Sequence, residues 1–132
     1  MAEQQILSGK ALWCFDYELQ QANLADEFRG MMSFTLPLHY HKGDISLSNT
    51  AIYINGDVDL HIPLNSLEQL YMGFDELYKS TYVKNGGLLW QPLKLSFTGH
   101  PQAQAVYLII DHNWFTVKNK LWFDTLTTIF EA

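Results

Sequence analysis

Apolar and polar residues alternate at every second position over much of this chain, the period of a strand with one buried face. Ile45 and Leu47 alternate with Ser46 and Ser48, after a turn expected at Lys42-Gly43-Asp44. Leu93, Leu95 and Phe97 alternate with Lys94, Ser96 and Thr98. Met32, Phe34, Leu36, Leu38 and Tyr40 alternate with Ser33, Thr35, Pro37 and His39. Ala11 to Leu19 reads as a further strand with Trp13, Phe15 and Tyr17 on one side. Val106 to Ile110 is continuously apolar, as in a central strand. The sharpest local signal is Asn55-Gly56, because both central residues of a type I′ turn need positive φ and this pair supplies it at low cost. Ala51-Ile52-Tyr53-Ile54 precedes it; after it, Val58, Leu60 and Ile62 share one face, and Asp57, Asp59 and His61 the other. An antiparallel hairpin is expected there.

The period changes near the end. From Val117 the apolar positions Leu121, Trp122, Leu126, Ile129 and Phe130 fall three to four apart, as on one side of a helix that Thr116 could cap. A lone amphipathic helix of about fourteen residues is marginal in water. It should dock Trp122 and its neighbours onto the sheet. Residues 67–78 are ambiguous: Leu67, Leu70, Tyr71, Phe74, Leu77 and Tyr78 fit a helix, with Ser66 and Gln69 as a capping box. Leu70, Met72 and Phe74 equally fit a strand, and Gly73 weakens a helix by about 1 kcal/mol. The expected fold is mainly β, a bent or closed antiparallel sheet with a C-terminal helix across it, in one domain over residues 1–132.

Composition narrows the function. The net charge is −6 with eight Lys and Arg in total, and Arg29 is the sole arginine. Nucleic acids and anionic membranes are held by clustered cations, and none is visible here. Apolar residues reach 48% against 17% charged, so some apolar surface could cover a partner or a second copy of the chain. Cys14 stands alone, which excludes an internal disulfide and a CxxC pair and suggests a small buried apolar residue. Met1 to Gln5 has neither a basic start nor an apolar run, and no stretch approaches the ~20 apolar residues of a membrane span. A cytoplasmic location is expected.

The segment from Gly43 to Ile54, then Ile62-Pro63-Leu64-Asn65-Ser66-Leu67, Pro92-Leu93-Lys94-Leu95, Val106 to Ile110 and the helix bearing Trp122 and Leu126, resembles the pleckstrin-homology-like fold, in particular its GRAM-type and bacterial variants. The resemblance covers about two-thirds of the chain and favours a strand after Leu67. It implies a binding platform for phosphoinositides, peptides or protein surfaces. Its lipid branch uses Lys and Arg near the first hairpin, and here the basic pair at i, i+2 is Lys118 and Lys120 on the terminal helix. Acidic-lipid binding is therefore not carried over, and a protein or peptide partner stays open.

Candidate chemistry is sparse. His39 and His41, with Asp44, could hold a metal as in a cupin-type barrel if both imidazoles faced one side, but the alternation of residues 32–40 turns them outward. The carboxylates of Asp57 and Asp59 lie on the polar side of the hairpin, and no nucleophile motif or phosphate loop is present. Tyr78, Tyr82 and Trp90 flank a long connection from Lys79 to Gly87 and could anchor a partner. The sequence thus leads to a non-catalytic interaction module without cofactor, for a protein, a peptide or itself. A cupin-like barrel for a metal or small molecule is the alternative.

Overall fold

The computed structural model describes residues 4–19, 39–79, 90–98, 104–113 and 116–131. In chain order these form β1 (Gln5–Phe15), α1 (Asp16–Leu19), β2 (His41–Ser48), β3 (Ala51–Gly56), β4 (Leu60–Pro63), a 3-10 turn (Leu64–Ser66), β5 (Leu67–Met72), β6 (Leu93–Phe97), β7 (Gln104–Ile110) and α2 (Asn119–Glu131). The strands make one antiparallel seven-stranded sheet of order β4-β3-β2-β1-β7-β6-β5, curled into a half-barrel. None of the described helices is long and apolar enough to cross a membrane.

Alternation in the strands decides the core. Trp13 and Phe15 of β1, Ile45 and Leu47 of β2, Leu93 and Leu95 of β6, and Val106 and Leu108 of β7 point into the concave face and pack with Trp122 and Leu126 of α2. The two tryptophans are almost wholly removed from water. This burial holds α2, because a helix of its length gains most of its stability from docking. The intervening residues Cys14, Tyr107 and Ile109 face the convex side, where Leu19 of α1 and Tyr78 cover them. The continuous apolar run of β7 follows, since it is covered on both faces.

The Asn55-Gly56 hairpin forms, but its turn does not. Neither residue has positive φ, and both are held extended by pairing with Asp44 and Gly43 of β2. The chain reverses later, between Ile54 and its partner Leu60, and the Gly56 amide donates to Asp59 Oδ1 at 3.2 Å. Val58 falls in this turn and is 40% exposed instead of sharing the face of Leu60 and Ile62. The turn expected at Lys42-Gly43-Asp44 is likewise absent, because these residues lie inside β2. The tight reversal sits at Asn49-Thr50, where the Ser48 hydroxyl accepts from the amides of Thr50 and Ala51 at 3.1 and 3.0 Å. A hydroxyl-braced turn needs no positive φ and so carries no Asn-Gly signature.

Residues 67–78 divide at Gly73. Leu67 to Met72 is a strand with one extra residue, Glu68, between the pairs Leu67–Phe97 and Gln69–Ser96. That bulge brings Leu67 and Leu70 to the same face, a spacing of three that imitates a helix. After Gly73 (φ 157°), Phe74, Leu77 and Tyr78 pack on the convex cluster instead. Ser66 makes no capping box, and its hydroxyl donates to the Pro63 carbonyl at 2.7 Å. β1 starts earlier than expected and stops at Phe15, giving way to α1. Thr116 does not cap α2, which begins at Asn119; its amide donates to Asn113 Oδ1. The strand expected over Met32 to Tyr40 falls outside the described residues up to Leu38, and the Lys79 to Gly87 connection does so beyond Lys79.

Candidate functional site

Two surface features are built by elements far apart in sequence. The first is a groove between β5 and α2. In the described sheet β5 pairs with β6 alone, so its second edge has no strand partner there. Leu67, Gln69 and Leu70 form one wall and Phe123, Thr127 and Phe130 the other, around about 470 Å³. Leu67, Leu70 and Phe123 also touch the core, so the floor is anchored. Phe130 stays 45% exposed, and Tyr71 on the outer side of β5 is 40% exposed. An open strand edge beside an apolar helix face offers main-chain hydrogen bonds and side-chain seats together.

The second feature centres on His41, at the start of β2. The sequence phase placed it outward; it has the parity of Ile45 and Leu47 and lies on the concave side, its ring centroid 4.6 Å from that of Trp13 and 6.0 Å from that of Phe15. Nε2 lies 2.7 Å from Glu18 Oε2 and Nδ1 lies 2.8 Å from Asp57 Oδ2. The side chain of His41 is 14% exposed. Burial opposes its charge, but the bonds to Asp57 and Glu18 outweigh burial and raise its pKa above the ordinary imidazole value. The Asp57 carboxyl is lowered, by the His41 bond first and then by the bond from the Lys42 amide.

The alternative metal set does not converge. His41 faces the core side, whereas Asp44, three residues on, lies on the outer face and pairs with Lys10. Among the described residues no group of three or more His, Cys, Asp or Glu side chains could hold a metal ion. Among the described residues the concave face is packed with apolar side chains.

The proposed aromatic anchors separate in the same way. Tyr78 is fully buried in the convex cluster and presents no surface to a partner, because the segment after Gly73 folds back over Cys14 and Tyr107. Asp75 fixes that segment: its Oδ1 accepts from the amides of Leu77 and Tyr78, and its Oδ2 from the Tyr107 hydroxyl at 2.7 Å and Lys94 at 3.3 Å. Burial would raise the Asp75 carboxyl, but the Tyr78 amide, the Tyr107 hydroxyl and the remaining donors hold it below its ordinary value. Trp90 is half-buried and meets His112 edge-on at 5.9 Å. Tyr82 lies outside the described residues. The Cys14 thiol is buried, and desolvation followed by Glu18 and Asp16 pushes its pKa far up, so it is held as a neutral thiol.

Sequence reasoning missed the groove because its walls are more than fifty residues apart in the chain, at Leu70 and Phe123. It missed the His41 cluster because Glu18, His41 and Asp57 share no motif. The alternation of β2 counted backwards from Ile45 is the signal that could have placed His41 inward. No protein-family model matches the chain, and no curated protein matches it significantly.

Proposed function

We propose that this protein is a non-catalytic binding module of pleckstrin-homology-like type, which takes an extended segment of a partner protein as an added strand along β5. The β5 edge, which has no strand partner among the described residues, and the groove beside it against α2 carry this reading. Main-chain bonds to β5 would supply affinity, and alternate apolar side chains of the segment would sit between Leu70, Phe123 and Phe130. The apolar packing of the concave face among the described residues supports a surface role over a cupin-like ligand cavity. The scattered cations support apolar docking over attraction to acidic lipid.

Selection from a displayed library of random peptides tests it. Enriched peptides should shift the amide resonances of β5 and α2, and binding should weaken in Phe130→Ala, at an exposed groove wall, and in Thr127→Arg, at a half-buried one, neither of which empties the core. A library that yields no binder, or binders mapping to the β3–β4 end of the sheet, would refute the proposal. Concentration-dependent sedimentation abolished by Thr127→Arg would identify the added strand as coming from a second copy of this chain.

A further inference from the structure

The hydrogen bonds around His41 prescribe its protonation. Both partners are carboxylates, which accept and do not donate when ionised. A neutral imidazole has one N–H and can serve one of them. Contacts of 2.7 and 2.8 Å at both ring nitrogens therefore require two N–H groups, hence imidazolium. The Trp13 ring, tilted 33° at 4.6 Å, adds a π face that favours a cation.

We infer that His41 is a proton-operated latch: its imidazolium ties α1 and the β3–β4 turn to the start of β2, and loss of the ring proton releases one of the two. Among the described residues the charged groups facing the ring are Glu18 from α1 and Asp57 from the turn, while β1 contributes the rings of Trp13 and Phe15. Each carboxylate also braces backbone. Glu18 Oε1 accepts from the Phe15 amide at 2.8 Å, and Asp57 Oδ1 accepts from the Lys42 amide at 3.0 Å. Releasing either arm therefore loosens a named amide. The raised imidazole pKa agrees with this geometry. The device is closed below the pKa of the folded-state ring and opens as the pH rises past it.

Two measurements on the 15N-labelled wild-type protein test the latch. Long-range proton–nitrogen spectra between about pH 5 and 9 should show both His41 nitrogens protonated beyond the ordinary titration point near 6.5. Hydrogen exchange, normalised for the intrinsic pH dependence, should show protection at Phe15 or Lys42 falling about tenfold as that ring deprotonates, the loss expected for one charge-assisted bond. Ile109, at the centre of β7, should show no such step. His41→Gln, which offers a single donor group and does not titrate, should abolish the step. A ring that titrates at or below 6.5, or protection that ignores its titration, would overturn the inference.

Discussion

The side-chain oxygen of Asn119, the first residue of α2, accepts a hydrogen bond from the backbone N–H of Ile110 at 2.9 Å, at the end of β7. The same carboxamide donates to the carbonyls of Leu108 at 3.0 Å and Gln91 at 2.7 Å. It is buried and couples the start of the helix to β7 and to the approach to β6. Asn119→Leu would strand a buried amide and two carbonyls. Urea unfolding should show a loss of about 3 kcal/mol, because each orphaned buried group costs about 1–3 kcal/mol. Asn119→Asp should lose more at neutral pH, where a carboxylate faces two carbonyls, and should recover part of that loss on acidification.

The docking of α2 rests on one face. Trp122→Ala should cost about 3–5 kcal/mol by the same measurement, the range for truncating a buried aromatic ring. Leu121, its neighbour, is 47% exposed, and Leu121→Ala should change stability by no more than about 0.5 kcal/mol. Equal losses for the two would show that α2 is not seated as described.

Asp75 makes the segment after Gly73 sensitive to acid. Its carboxyl is lowered in the folded state, so its contribution is complete above the ordinary carboxyl value and disappears as the pH falls through the lowered one. Tyr107→Phe removes one charge-assisted donor and should cost about 1.5–3 kcal/mol at pH 7. It should also move the Asp75 carboxyl back upward, so that less stability remains to be lost between neutral and acid solution. Unfolding free energies at several pH values check both the size and the sign.

Gly43 and Gly56 oppose each other across β2 and β3. A Cβ on Gly56 would stand 2.2 Å from the Lys42 carbonyl oxygen, and one on Gly43 would stand 2.5 Å from that of Asn55. Both obstacles are backbone, so the strands themselves must part. Gly56→Ala should destabilise by at least about 1–3 kcal/mol, the cost of overpacking a close contact, and thermal unfolding measures it.

The same glycine pair shows what local pattern conveys and what it does not. Asn55-Gly56 carries the residues of a two-residue turn, yet β2 pairs with both of them and carries β3 past the place where the chain could have turned. Leu67 and Leu70 look helical because a bulge inserts Glu68 between them. Where the pattern depended on face alone, it held: Leu93 to Phe97 and Val106 to Ile110 are strands, Trp122 docks, and Cys14 is buried.

The amino-acid order alone determined the mainly antiparallel strand content, the double burial of β7 and the amphipathic helix that follows. Each is a matter of period, and period is set by neighbours a few residues apart. The tertiary structure alone decided that Leu70 faces Phe123 across a groove and that Glu18, His41 and Asp57 meet. Those encounters depend on strand order and register, which arise from pairing between distant segments and leave no trace in any short window of sequence.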